Sequence, residues 1–572
     1  MITVERIARY EDIESIKNPW SQLLGRSDVD VIFLTPEWLQ AWWRIYGKGR
    51  EPYILVVKSG DEIIGIVPLM RTTFKRLGKT NKVIEFIGTP NTDYSDVISA
   101  KKPEVINQML RYLKDHPDDW TRIELTQIPE RSRSLEIFRE TVGKNDPLMK
   151  INVIESCSGF VYDGPESERA NFTLKKSRTV KTAINVMQKD RGLIYERLQD
   201  LETCKSHLLQ LFQLHINRWD NTATPSKFLD EGNRHFYFEL LDTFMPSGNI
   251  CFFVVKNGNI PVACSFNFEY KGAIYFYTLA INQFYKKRSP GQMLFVLQGE
   301  SFVRNGFVLD YSRGAQEYKN LFANRFSHNY KVTIFSRKSE FKMAQRIEKT
   351  KAIPIVHRLL ENKRFRDYKL KLARELGERG PLGLLIKLVT KVVDLARKYV
   401  ADYREFYVLR FEGTPDLSIK PRIPVEVRLL AKEDIPLILT FYGVWEESPK
   451  HRTIIGRFEK KADCIAALHN GNIISLYWGL YHTDHHVELN LTLSPGPNEV
   501  VLSDALTSPI YRGMKIVPYL LACQLSDYEK RGIKAIVGVA RANKPSRKAL
   551  SNFDFKHIKT QRFLKILGVR LI

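Results

Sequence analysis

An apolar run, a Gly-containing turn and a second apolar run recur three times along the chain: YILVVKSGDEIIGIVPL (53–69), CFFVVKNGNIPVACSF (251–266) and CIAALHNGNIISLYWG (464–479). Pairs such as Asn257-Gly258 and Asn470-Gly471 accept positive φ and predict hairpins. Each hairpin leads into a strand, a loop, a helix and another strand. The order is VIEFIG, TPNTDYSD, 103–116 and WTRIELTQI in the first copy. In the second it is 273–281, KKRSPG, about 292–304 and FVLDY, and in the third VVLSDAL, SPIYRG, about 515–530 and IKAIVGVA. Antiparallel meanders that pass into βαβ crossovers predict an α/β (α+β) protein with three related domains, each a mixed, largely antiparallel sheet flanked by helices. Spacing near 200 residues excludes a solenoid. The expected division is 1–160, 161–339, a basic helical linker over 340–415, and 416–572.

Composition narrows this picture. The net charge is +24 over 572 residues, and residues 331–400 hold nineteen Lys or Arg against seven Asp or Glu. Charge this concentrated points to an anionic partner. Within it, Leu384, Leu385, Leu388, Val392 and Leu395 recur at helical spacing between lysines. Such a stripe packs on a neighbouring domain or, over 381–400, touches a membrane surface peripherally. The six cysteines lie far apart with no CxxC pair, as expected of reduced thiols. The charged N-terminal stretch and the lack of a long apolar run predict a cytoplasmic protein without a signal peptide or transmembrane segment. His482, His485 and His486 lack a companion ligand cluster, so no metal is expected.

The stretch KKRSPGQMLFVL (286–297) carries the strongest chemistry. A strand, a cationic turn and a helix start form a cradle for a diphosphate, because the first N–H groups of a helix lack intrahelical acceptors and sit at its positive end. Lys287 and Arg288 add charge, Pro290 sets the turn and Gly291 permits close approach. Ser289 and Gln292 complete the expected binding loop.

At these residues the sequence resembles the GNAT acyltransferases, whose phosphate loop reads [RQ]-x-x-G-x-[GA]; Arg288 and Gly291 match, and Met293 stands at the third fixed position. Residues 30–335 further resemble the CelD-type acetyltransferases, relatives of the FemABX peptidyltransferases. The matching segments are FLTPEWLQAWW (33–43), IIGIVPL (63–69), NTDYSD (91–96), LHINRW (214–219), RSPGQML (288–294) and LDYSRGAQEYK (309–319). The resemblance implies a first half on the substrate side and a second half holding acetyl-CoA or another acyl-CoA as co-substrate. Residues 421–572 resemble a further GNAT domain, with Arg512, Gly513, Lys515 and Asn543 at its donor positions. There Lys515 and Val517 stand where small residues are expected, and Leu550 where many relatives carry a tyrosine acid.

Acyl transfer from a thioester needs a positioned nucleophile, a proton acceptor and a proton donor for the leaving thiolate. The expected catalytic set is Asp310, Tyr318 and Lys319 after the 307–311 strand, with Asp93 and Asp96 from the first half. Asp serves as base and Tyr318 as acid, while each of these residues also has a plain reading as a turn former or ion pair. His215 shares a helix face with Trp219; packing with a hydrogen bond is the simpler reading, and the LHINRW match adds a catalytic one. The resemblance points to N-acylation, with O-acylation possible, of a small-molecule or glycan acceptor in cell-envelope glycan or polysaccharide metabolism. A FemABX-like transferase using aminoacyl-tRNA and a non-catalytic scaffold are the competing expectations.

Overall fold

In the computed structural model the described residues are 1–572 except 77–78, 143–147, 175–176, 190–192, 221, 223, 315, 352–400, 487–490, 567–568 and 571–572. The first unit contains β1 (Ile2–Ile7), β2 (Arg50–Pro52), β3 (Ile54–Ser59), β4 (Glu62–Val67), β5 (Leu69–Arg76), β6 (Lys79–Phe86), β7 (Arg122–Pro129) and β8 (Leu148–Phe160). The second contains β9 (Leu193–Leu198), β10 (Ile250–Asn257), β11 (Ile260–Tyr270), β12 (Ala273–Ile281), β13 (Val308–Arg313) and β14 (Arg325–Phe335). Then follow β15 (Ala401–Phe411), β16 (Glu426–Leu429), β17 (Asp463–His469), β18 (Asn472–Leu480), β19 (Asp484–His486), β20 (Leu491–Leu493), β21 (Glu499–Thr507), β22 (Lys534–Ala540), β23 (Phe555–Ile566) and β24 (Val569–Arg570).

All three predicted hairpins form, as β3–β4, β10–β11 and β17–β18. In the third, Asn470 and Gly471 form the two-residue loop, both at positive φ (49° and 73°). In the second, the loop is Gly258-Asn259, one residue later than expected, because Asn257 pairs with Ile260 and only Gly258 needs positive φ (55°). The three crossovers form too: β6–β7, β12–β13 and β21–β22 pair in parallel around helices Lys102–Asp115, Pro290–Arg304 and Ile516–Lys530.

How the units join is not a matter of local pattern. An eleven-stranded sheet runs β2-β5-β6-β7-β14-β8-β13-β12-β11-β10-β9, with β1-β3-β4 forming a three-stranded sheet beside it. Its centre is an exchange. β14, from the second unit, lies between β7 and β8 of the first, while β8 lies between β13 and β14 of the second. The eight-stranded sheet, β16-β17-β18-β21-β22-β15-β23-β24, fills the same slot with β15. That strand corrects the expected linker: residues 401–411 pair with both β22 and β23 and belong to the C-terminal sheet. Helix Lys338–Lys351 begins the basic stretch, and the amphipathic run 381–400 lies outside the described residues. No helix among the described residues is long and apolar enough to cross a membrane.

The segment FLTPEWLQAWW is an aromatic wedge between the first two units. Thr35 caps helix Pro36–Tyr46 by accepting from Trp38 N, with Pro36 in the first turn. Trp38 is fully buried, edge-on to Phe33, Phe236, Phe268 and Tyr277 at 4.7–5.7 Å, and its Nε1 donates to Thr92 Oγ1 at 3.1 Å. Trp42 donates to Asn91 Oδ1 at 3.2 Å and Tyr277 to Asn91 O at 2.9 Å, which seats the NTDYSD loop on the second unit. The six cysteines are free; five are buried and Cys523 half-buried. Burial pushes Cys157, Cys204, Cys251 and Cys264 up to about 12, so they stay protonated thiols near neutral pH.

Asp96, expected at the cleft, is instead a fully buried anchor. Its Oδ2 lies 2.5 Å from Lys102 Nζ and accepts from Ser132 Oγ at 2.6 Å, and its Oδ1 accepts from Val97 N at 2.8 Å. Lys102, 1% exposed, also pairs with Asp28. Asp96→Ala leaves the ammonium with a single carboxylate and should cost about 3 kcal/mol, the lower end for breaking a buried pair. Urea unfolding measures this, and a loss under about 1 kcal/mol would contradict the anchoring role.

Candidate active site

β12 and β13 pair over only three positions: Ala273 with Val308, Ile274 with Leu309 and Tyr275 with Asp310. Beyond that they part. On its other edge β13 bulges against β8, where the register jumps from Asp310–Gly159 to Arg313–Cys157 and Ser312 takes a left-handed φ of 57°. A bulge re-aims side chains, and here Arg313 lines the opening between the strands. A cavity of about 250 Å³ occupies it, lined by Asn267, Thr278, Lys227, Arg313, Tyr318 and Lys319 among others. A second, of about 180 Å³, lies at the Ser289–Gln292 loop. Both are lined by Arg218, Leu279 and Tyr318, so they form one groove from the loop to the open strand ends.

At the loop end, Ser289 is left-handed (φ 47°, ψ 49°) and leads directly into helix Pro290–Arg304, whose N-terminus carries no side-chain cap. The N–H groups of Gly291 and Gln292 therefore lie in the first turn without intrahelical acceptors. Gly291 has a further role. A Cβ there would stand 2.9 Å from Ile281 Cγ2 and 3.3 Å from Leu279 Cδ2, so the glycine lets the helix seat closely on β12. Lys287, expected to meet phosphate, instead pairs with Glu447 of the C-terminal unit at 2.8 Å, and Arg288 lies over the Tyr285 ring at 5.8 Å. The cations lining this end are Lys286 and Arg218.

At the strand end, a closed ring of hydrogen bonds among buried neutral side chains sits beneath the groove. Ser265 Oγ donates to Asn267 Oδ1 (3.0 Å), Asn267 Nδ2 to Gln298 Oε1 (3.0 Å), and Gln298 Nε2 to Ser265 Oγ (3.1 Å). Lys227 is exposed to the cleft, although its ammonium sits among packed side chains. Its ammonium donates to Tyr237 Oη (2.6 Å) and Thr278 Oγ1 (3.2 Å) and lies 4.9–5.2 Å from the rings of Phe228, Tyr237 and Tyr277. Desolvation, opposed by Asp93 and reinforced by Arg313 and Lys319, brings it down to about 8. Lys319 is buried, donates to Arg313 O at 2.9 Å, and is likewise lowered by burial. Arg313 Nε meets Asp93 Oδ1 at 2.7 Å.

The expected acid–base residues separate here. Tyr318 lines both cavities, and burial raises it against the opposing effect of Arg218, so its hydroxyl stays protonated. His215 also lines the cleft. Its Nδ1 lies 2.8 Å from Ser226 Oγ, and desolvation lowers it to about 3, leaving a neutral imidazole. Asp93 stands behind Arg313. Asp310 is outside the lining: its Oδ1 accepts from Tyr94 Oη (2.8 Å) and Ser312 N (2.7 Å), and burial raises its pKa. Among the described residues, those lining the groove include no Asp or Glu.

The C-terminal loop repeats the backbone with different chemistry. Lys515 is left-handed (φ 59°) immediately before helix Ile516–Lys530, as Ser289 is in the second unit. Gly513 is at φ 81°. Arg512 lines a cavity of about 580 Å³ between this unit and helix Leu201–Trp219, and Asn543 caps helix Lys544–Leu550 by accepting from Ser546 N at 3.2 Å. No group of three or more His, Cys, Asp or Glu side chains among the described residues is arranged to hold a metal. Sequence reasoning missed Lys227, Asn267, Gln298, Ser312 and Lys286. Of these Lys286, within the quoted basic loop, and Ser312, within the quoted LDYSRGAQEYK segment, carried a local signal.

Residues 175–320 match the family model of the acetyltransferase (GNAT) domain. A search of curated proteins finds no match. Among solved structures, FemX is similar at 11% identity and a TM-score of 0.42, covering 59% of this chain and 99% of its own. The C-terminal domain of a putative lysylphosphatidylglycerol synthetase from Agrobacterium fabrum gives 11%, a TM-score of 0.34 and coverages of 58% and 96%. A tandem GNAT protein from the clavulanic acid biosynthesis pathway gives 12%, 0.24, 66% and 99%. The matched segment supplies β12, β13, the loop at Ser289 and the helix behind it. Residues 175–320 are therefore a GNAT acetyltransferase domain, and the groove lies within it.

Proposed function

We propose that the protein is an acyl-CoA-dependent N-acyltransferase, with a hydroxyl acceptor open to the same chemistry. The observation that carries this reading is the continuous groove from the Gly291 and Gln292 N–H groups to the open ends of β12 and β13. The diphosphate of the donor meets those N–H groups, with Lys286 and Arg218 beside it, and the thioester extends towards the strand opening. There the neutral amine of the acceptor attacks the thioester carbon, and the C–S bond breaks. Tyr318 gives its proton to the departing sulfur and is reprotonated through solvent from the proton that the amine loses. Without a carboxylate facing the groove, the amine enters the reaction already deprotonated. The loop of residues 89–96 forms the acceptor side. The CelD-type resemblance favours an envelope glycan or polysaccharide precursor as acceptor.

Acetyl-CoA should raise the melting temperature by mass action; salt-sensitive tRNA binding with no response to CoA would favour the aminoacyl-tRNA alternative. Lys286→Glu sets a carboxylate beside the diphosphate on an exposed side chain, and should weaken acetyl-CoA about tenfold, roughly 1.4 kcal/mol, in calorimetric titration. Unchanged affinity would move the donor away from this loop.

Tyr318→Phe should lower kcat by about 10²–10³ while leaving the acetyl-CoA Kd within about twofold. A loss confined to Kd would make Tyr318 a binding group and not the acid.

A further inference from the structure

The cations at the inner end of the groove are not accounted for by the donor. The diphosphate lies at the loop, at the opposite end from Lys227, Lys319 and Arg313. These three cationic side chains line one cavity of about 250 Å³. Of the carboxylates near them, Asp93 is engaged by Arg313 and Asp310 by Tyr94 and Ser312 N. Lys227 has two hydroxyls and three ring faces for company, and no carboxylate pairs with it among the described residues. Lys319 has a backbone carbonyl. Asp93 offsets part of the charge on all three cations and Asp310 part of it on Lys319, but three cations share these two carboxylates and neither carboxylate lines the cavity.

We infer that the acceptor carries an anionic group, a carboxylate or a phosphate, that seats among Lys227, Lys319 and Arg313 and fixes its nucleophile at the strand opening. This rests on the acyltransfer reading and names the substrate class of that site. The Arg313 guanidinium is fixed by Asp93 at Nε and by the Pro90 carbonyl at Nη2, and the side chain lines the cavity as a positioned charge. Lys227 supplies a charge that titrates near neutral pH. The titratable groups facing it are Asp93, Arg313, Lys319, His215, Tyr237 and Tyr277. Among them His215 is neutral near pH 7, and the two tyrosines, raised by burial, are protonated. Lys227 is lowered to about 8, so anion affinity is greatest below pH 8 and falls as pH rises through it.

The test is thermal unfolding of the full chain at pH 7 with inorganic phosphate or succinate, each against sodium chloride at matched ionic strength, with and without saturating acetyl-CoA. One of the two anions should raise the melting temperature by about 2 °C or more beyond chloride, and whichever does so tells phosphate from carboxylate recognition. The rise should persist with acetyl-CoA bound and shrink above pH 8. Lys227→Met removes a repelled charge, so the unliganded variant should melt no lower than the parent while losing the anion response; Lys319→Met should lose it as well. An equal rise in chloride, an anion response retained in both variants, or a response abolished by acetyl-CoA would overturn the inference, the last by assigning the anion to the donor loop. Failure of acetyl-CoA itself to shift the parent protein sinks the donor reading instead, and that result is separate from the anion arms.

Discussion

Two parallel strands that stop pairing after three residues govern the rest of this structure. Had β12 and β13 continued their ladder past Tyr275 and Asp310, the space that holds Lys227, Arg313 and Lys319 would be filled by sheet. Their parting leaves backbone groups that need other partners. β13 answers with a bulge, placing Ser312 in a left-handed conformation that costs about 1 kcal/mol or more in a non-glycine residue. Such strain persists where neighbours over-determine it, and here Ser312 N is tied to Asp310 while β8 holds the other edge of the bulged strand. The same device recurs in the first unit. Gln127 is left-handed in β7 (φ 62°), where the register against β14 also shifts, and its Oε1 accepts from Asn329.

The exchange of β8 and β14 explains why the first unit matters to a groove built from the second. Each unit completes the other's sheet, so the seam between them is made of backbone hydrogen bonds along most of β14 and β8. Once that seam and the Trp38 wedge are fixed, the 89–96 loop has little choice of position: Tyr277 holds Asn91, Arg313 holds Asp93 and Pro90, and Tyr94 holds Asp310. The carboxylates of NTDYSD thus orient cations and strand ends. The C-terminal unit, whose slot is filled by its own preceding strand β15, closes without exchange and braces the segment before Ser289 from outside, through Asn282 to Thr440 and Lys287 to Glu447.

What was legible in the sequence was local. Alternating apolar runs around a glycine turn mark hairpins, and a strand, glycine and helix in succession mark a crossover, because these patterns report on neighbours in the chain. The Ser289–Gln292 loop was legible for the same reason. β15 was not, since YREFYVLRF has the composition of a strand but nothing in it names its partners, and it follows a long basic stretch. Asp96 and Asp93 sit three residues apart in one loop, and only tertiary packing separates a carboxylate locked to Lys102 from one locked to Arg313. Lys227, in the polar run TPSKFLD, is indistinguishable from any other surface lysine until the fold sets its ammonium beside Tyr237 and Thr278 at the cleft.

The distribution of charge ties these points together. A site that moved a proton through a carboxylate base would gain from an acid at the strand ends, and the chain has two in position by sequence, Asp93 and Asp310. The fold spends both on hydrogen bonds and ion pairs and leaves cations facing the groove. Desolvation together with Arg313 and Lys319 outweighs the pull of Asp93 on Lys227 and lowers its pKa. A polar arrangement that destabilises the free protein is retained where a ligand relieves it. Under the proposed reading a diphosphate meets only the loop end, so the cations at the inner end are left for the acceptor. On the proposed reading the sign of the inner groove constrains the acceptor more tightly than the fold does, since a GNAT scaffold admits many nucleophiles but a cationic cleft favours anionic ones.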